Sequence, residues 1–244
     1  TLSAPNNAGL GTNTVHTRAI TDDEATPEWN FATATDNTGE GTASKNISIT
    51  LDVAPATDKT ITYTVADVTA TGSGTDYTLA TGTATITAGN TSVNVSVSFN
   101  DDALDEADET FTITLSAPSA GATLGATNVH THTINDDDAT PDIQFTSTTG
   151  SIGEAAASTN IAVSLSAASG LEVTATYTVA DVSATGGGAD YTLASGTVTI
   201  AAGLTTVNLS PSIVNDVLAE GDETFTITLS APNNAGLGTN TVHT

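Results

Sequence analysis

A chain of 244 residues has room for one large domain or two of ordinary size; 38% of it is apolar but only 4% aromatic, so its core has to be built from Val, Ile, Leu and Ala. Three basic residues, Arg18, Lys45 and Lys59, face 28 acidic ones, and the formal charge of −25 argues against nucleic acid or an anionic membrane as a partner and for a life among cations. The absence of Cys excludes disulfides and thiolate chemistry, and no apolar run approaches the ~18 residues of a membrane-crossing helix.

Taken in order, the chain opens with TLSAPNNAGLGTNTVHT at 1–17, which is identical to residues 228–244. There is no signal peptide pattern, and the opening reads as the last strand and acidic tail of a preceding repeat, residues 1–26. Two homologous units follow, 27–140 and 141–244. Thr-Pro-Glu-Trp-Asn-Phe at 26–31 returns as Thr-Pro-Asp-Ile-Gln-Phe at 140–145, and Tyr-Thr-Val-Ala-Asp-Val at 63–68 returns unchanged at 177–182. In the first unit seven strands are predicted, over 29–35, 46–53, 60–66, 83–87, 92–99, 110–115 and 128–134. Each shows alternating apolar and polar residues, as in Val93, Val95, Val97 and Phe99 against Asn94, Ser96 and Ser98. Gly, Pro, Asn and Asp punctuate the gaps. Seven short antiparallel strands per unit without a helix mean an all-β protein of tandem immunoglobulin-like β-sandwiches.

Between the fifth and sixth strands lies Asp101-Asp102-Ala103-Leu104-Asp105-Glu106-Ala107-Asp108-Glu109. Six carboxylates in nine residues repel one another and resist any compact loop. A divalent cation removes that penalty, and an all-oxygen donor set points to Ca²⁺ rather than zinc or copper. The stretch recurs at 215–223, again entering Thr-Phe-Thr-Ile-Thr-Leu.

The Asp-Asp-x-x-x-Glu-x-x-Glu-Thr-Phe run, Gly-Thr-Asp-Tyr at 74–77, Ile-Asn-Asp-Asp-Asp at 134–138 and Gly-Glu at 39–40 resemble a Calx-beta domain, and the resemblance covers nearly the whole chain as tandem copies. It implies an immunoglobulin-like sandwich with Ca²⁺ ions clustered at one tip. By position it implies Glu40, Asp76, Asp101, Asp102, Glu106, Glu109, Asp136, Asp137 and Asp138 as ligands in the first unit. In the second unit it implies Glu154, Asp190, Asp216, Glu220 and Glu223, with Asn215 in place of Asp101 and Ala219 in place of Asp105. Asp22, Asp23 and Glu24 are the closing triplet of a preceding unit. Fewer charges make the second site the weaker one. Asp105 has no acidic counterpart and is expected to be merely solvated.

His130 and His132 share a strand face, which suits a transition metal in principle. With Arg18 in the place of His132 in another copy, surface or partly buried strand histidines are the expectation. No nucleophile–base constellation and no Gly-rich phosphate loop is present, and no enzyme activity is expected. The combined expectation is an extracellular or cell-surface structural repeat in a filament or adhesin stalk, stiffened by Ca²⁺, whose partners are neighbouring copies joined head to tail. A calcium-sensing regulatory module, and a sugar- or ice-binding surface built on the Thr-rich strands, are the alternatives. Two arrangements account for the repeated end sequence: a longer covalent array, or subunits that exchange residues 12–24. Competition between residues 1–17 and 228–244 for one slot favours the array.

Overall fold

The computed structural model describes all 244 residues, which form twenty strands and no helix. Residues 1–27 carry no strand; their backbone is tied by a bond from the Leu2 N–H to the Thr14 carbonyl, and Ile20 is 99% exposed.

The first sandwich holds β1 (Glu28–Phe31), β2 (Thr35–Gly39), β3 (Ser44–Leu51), β4 (Lys59–Asp67), β5 (Tyr77–Thr78), β6 (Gly82–Ile86), β7 (Ser92–Phe99), β8 (Glu109–Ser116), β9 (Thr123–Leu124) and β10 (Val129–Asn135). One sheet runs β5-β7-β3-β1-β9 and the other β2-β10-β8-β4-β6. Trp29, Phe31, Ile49, Leu51 and Val97 from the first sheet meet Ile61, Ile86, Phe111, Ile113 and Leu115 from the second, all buried. The period-two alternation puts these side chains inward and the Thr, Ser and Asn between them outward. Removing one, as in Phe111→Ala, costs about 3–5 kcal/mol.

The strand predicted over 29–35 is two strands. β1 pairs antiparallel with β3, and the chain then crosses to the other sheet, where β2 pairs parallel with β10 over five residues. Trp29 and Phe31 have by then filled their places in the core, and the Ala34 carbonyl takes up the Thr131 N–H to start the new ladder. β5 and β9 were not anticipated, two residues being too short to show a pattern.

The second sandwich holds β11 (Asp142–Phe145), β12 (Ile161–Leu165), β13 (Val173–Asp181), β14 (Tyr191–Thr192), β15 (Gly196–Ile200), β16 (Thr206–Leu209), β17 (Ser212–Ile213), β18 (Phe225–Asn233), β19 (Gly236–Leu237) and β20 (Val242–His243). Its sheets, β16-β12-β11-β19 and β15-β13-β18-β20, enclose a core of Ile143, Phe145, Val163, Val173, Ile200 and Ile227, with β14-β17 as a short ribbon. It follows the plan of the first with two differences: the counterpart of β7 is split into β16 and β17, and one edge is less paired. β20 pairs with β18 only at Ile227 and Thr228, whereas β10 pairs with β8 over six residues. Residues 149–153, the counterpart of β2, form no strand.

Candidate metal centre

The ladder directions decide where the carboxylates go. β2 and β10 are parallel, so both end at the same pole, and β8, antiparallel to β10, begins there. Glu40 follows β2, Asp136–Asp138 follow β10, Glu109 opens β8, Asp76 precedes β5, and Asp101 and Asp102 lie just beyond β7. Carboxylate oxygens of Glu40, Asp101 and Asp137 lie within 4.8 Å of one another, and so do those of Glu40, Asp136 and Asp138. A Cβ on Gly41 would sit 2.9 Å from Asp137 Oδ2, so this glycine leaves room for the carboxylate.

Local hydrogen bonds set the loops. The Leu104 N–H donates to Asp102 Oδ1 at 2.8 Å and the Glu106 N–H to Asp136 Oδ1 at 3.1 Å, tying the 101–109 loop to the tail of β10. Asp108 was not singled out from the sequence, yet it accepts from Asn135 Nδ2 and from the Asp136 N–H and so holds the tail in place. Asp67 was missed too. It accepts from the Tyr77 hydroxyl at 2.6 Å and from the Gly72 N–H at 3.0 Å, closing the loop that presents Asp76. Asp181 does the same for Tyr191 and Gly186. The signal was there: Asp67 and Tyr77, ten residues apart, both recur in the second unit.

Electrostatics report the crowding. The Glu40 carboxyl is pushed up to about 7, first by burial and then by Asp136, Asp102, Asp138 and Asp137. Glu109 is raised to about 7 by burial and by its hydrogen bond to Asp76. Glu106 is also raised, by burial and then by Asp102, Asp76, Asp136 and Asp138. The nine carboxylates expected as ligands in the first unit thus belong to one cluster. Glu40 Oε1 and Asp138 Oδ2 are buried with no hydrogen-bond partner. Buried polar atoms rarely stay unpaired, and a cation between these oxygens satisfies them. The donor set, oxygen only, fits Ca²⁺, which takes 6–8 such ligands.

In the second unit Asp190, Glu220 and Glu223 come together within the same 4.8 Å. Both glutamates are held above the usual range, by local loss of water first; Asp216, Asp190 and Glu154 add to this for Glu220, and Asp190, Glu220 and Glu154 for Glu223. Asp22, Asp23 and Glu24 are exposed and meet no other carboxylate cluster.

Two expectations are corrected. Asp105 is not solvated: it is only 7% exposed and lies against the second sandwich. Its carboxylate accepts from Thr140 Oγ1 at 3.0 Å and Ser169 Oγ at 3.3 Å, and its carbonyl accepts from the Gly170 N–H at 3.1 Å. Asp105 thus marks an interface rather than a dispensable charge. Glu106 packs beside Asp105, so close to Gly170 that no Cβ fits there. His130 and His132 are not surface residues. His130 donates from Nδ1 to the Thr33 carbonyl at 2.8 Å, and His132, 0% exposed, lies against Phe99 and Phe111 with neither ring nitrogen partnered.

Fold and site define a class: paired β-sandwiches, each carrying a carboxylate-lined pole, with the first pole set against the next domain. The Calx-beta domain model matches residues 22–138 and again 136–242, and the chain belongs to that family. Among solved structures it is similar to CBD12 from CALX1.2, with 22% identity over 88% of this chain and 82% of that one and a TM-score of 0.45. The calcium binding domain CBD12 of CALX1.1 matches at 22% identity over 86% and 82%, TM-score 0.45. The apo-form Calx CBD1 domain matches at 25% identity over 47% of this chain and all of that one, TM-score 0.44. No curated relative matches the chain.

Proposed function

We propose that this chain is an extracellular structural repeat, part of a head-to-tail filament or adhesin stalk, and that Ca²⁺ at its acidic poles sets its stiffness. The observation that carries the reading is the position of the first pole. The loop that supplies Asp101, Asp102, Glu106 and Glu109 also supplies Asp105, which is hydrogen-bonded to Ser169 of the next sandwich. Filling the pole fixes that loop, and the fixed loop holds the neighbouring domain. Without cation the carboxylates repel, the loop loosens and the joint bends. Extracellular modules of this kind bind Ca²⁺ at about 10⁻⁴–10⁻³ M, so calcium-rich fluids keep the sites filled. Calorimetry and small-angle scattering, with 10 mM Ca²⁺ and with chelator, test it together. At about a hundredfold excess over Kd a native-state ligand adds about 2.7 kcal/mol, which raises the melting temperature by roughly 10 °C for a domain of this size. The maximum dimension should rise with Ca²⁺. Equal melting curves in both conditions would rule the proposal out.

A further inference from the structure

We infer that the edge strand β6 of the first sandwich pairs antiparallel with β6 of a second copy of this chain, so that copies associate side by side. The contact goes beyond the head-to-tail reading and involves neither the acidic poles nor the ends of the chain.

β6 lies at the margin of its sheet and pairs with β4 alone. None of its residues joins a backbone hydrogen bond outside that ladder, so the N–H and C=O groups on its outer side have no partner. Edges of this kind are usually blunted by a charge, a proline or a bulge. β6 has none of these: it reads Gly-Thr-Ala-Thr-Ile, and its register with β4 runs unbroken over five pairs. Residues 92–97 of β7, on the same flank, pair only with β3, because β5 reaches no further than Ser98 and Phe99. A hollow of about 420 Å³ is lined by Tyr63, Leu79 and residues of both edges, 83–85 and 93–96. Tyr63, Leu79 and Val93 pack on the core there but remain only partly buried. The Tyr63 ring lies over Gly82, where no Cβ fits, and so reaches the edge itself.

Charge names the occupant. At a net charge of −25 two copies repel wherever their carboxylates face each other. No residue between Asp76 and Asp101 is charged, and that stretch builds β6, β7 and the turn joining them. A basic partner finds no carboxylate here; a partner that is acidic elsewhere and presents a neutral strand meets no repulsion, and a second copy is such a partner. β6 is also its own complement. Antiparallel pairing about a twofold axis at Ala84 sets Thr83 against Thr85 of the second copy and Gly82 against Ile86. Thr83 and Thr85 are exposed on the outer face, and threonines paired across strands attract. Ala84 and Ile86 point inward, so the two cores meet across the seam and Tyr63 beside Gly82 is covered. A twofold contact is closed, so it joins copies in pairs. β15 carries the similar pattern Gly-Thr-Val-Thr-Ile, but Pro211 interrupts the neighbouring edge between β16 and β17, and only the first sandwich offers two unbroken edges.

The test is sedimentation of the 244-residue chain in chelator, up to about 1 mM protein, because an edge of five residues sits at the weak end of interface sizes. The chain should dimerise, and more tightly in about 0.5 M than in about 0.05 M NaCl, since salt screens the repulsion between copies and no ion pair crosses the seam. Thr83→Lys together with Thr85→Lys sets like charges opposite each other twice and should weaken the dimer roughly tenfold or more. Thr83→Lys together with Thr85→Glu sets opposite charges together and should dimerise more tightly than the parent chain in low salt. Both positions are exposed, so both variants should melt with the parent; if the double-lysine chain does not fold, the lysine–glutamate chain still decides, because only antiparallel pairing of β6 with itself tightens its dimer. A parent chain that stays monomeric at every concentration and salt overturns the inference. So does a dimer that the double-lysine change leaves intact; if Thr197→Lys with Thr199→Lys then abolishes it, the pairing edge is β15. Neither outcome touches the calcium reading, which is decided by the melting curves with and without Ca²⁺.

Discussion

His132 sits where the packing asks for an apolar side chain. Its ring lies between Phe99 and Phe111, and its ionisation is pushed down to about 4, by burial first and then by Lys45 and His130, with Asp36 pulling the other way. The unfolded chain takes up a proton here near pH 6.5 and the folded chain does not until about pH 4, so stability is lost as the pH falls through that window. The full shift corresponds to a loss on the order of 3 kcal/mol. His132→Leu should therefore stabilise the first sandwich at pH 8, by roughly 1–3 kcal/mol because two orphaned nitrogens disappear, and the gain should grow at pH 5. Urea unfolding of both proteins at the two pH values measures this; a gain independent of pH would show that the ring is protonated within the fold. Asp105 makes a second residue-scale case. Asp137→Ala and Glu106→Ala should weaken Ca²⁺ binding to the first unit about tenfold or more, or ~1.4 kcal/mol. Asp105→Ala should leave that affinity within about threefold but loosen the domain joint, visible as faster interdomain motion in NMR relaxation. Neither role was legible beforehand. One acidic residue within an acidic run looks solvated, and only Ser169, 64 residues away in the loop between β12 and β13, reveals the interface.

The loops between strands carry the titration behaviour of the pole. Glu40 and Glu109 are both raised to about 7, so between pH 4.5 and 7 the metal-free fold holds protons that the unfolded chain has lost. Their contribution to metal-free stability is therefore present at low pH and fades as the pH rises through 7. Ca²⁺ competes with those protons. Its apparent affinity should rise with pH up to about 8 and then level, and binding at pH 6.5 should release protons. Titration calorimetry in two buffers of different ionisation enthalpy counts them; no difference between buffers at pH 6.5 would mean that both glutamates are already ionised. Strand positions were readable because period-two alternation is a local pattern, as in β7. The split of the first predicted strand into β1 and β2 was not, because a change of sheet leaves Ala32-Thr33-Ala34 looking like more of the same strand. Most of the carboxylate cluster was readable for a different reason. The strands end where the alternation ends, and parallel β2 and β10 then carry their acidic tails to the same place.

At the scale of the molecule, physiological salt should not replace Ca²⁺. The screening length at 0.15 M is about 8 Å, longer than the 4.8 Å within which the clustered oxygens sit. The chelated chain should thus stay bent in 0.15 M NaCl and straighten on adding Ca²⁺, with scattering as the readout; straightening by NaCl alone would point to long-range repulsion among the 28 acidic residues instead. The parallel pairing of β2 with β10 has a consequence under tension. One strand belongs to the entering chain and the other to the leaving chain, so a pull on the two ends slides them past each other along their length. The five residue pairs from Thr35–Thr131 to Gly39–Asn135 then share the load, instead of parting one by one as a peeled hairpin does. In optical tweezers the first sandwich should therefore extend in one abrupt step at high force, and a graded series of small steps would show that the pairs part singly. Such a joint would keep its full strength until all five pairs give way together, as a lap joint fails and a zipper does not.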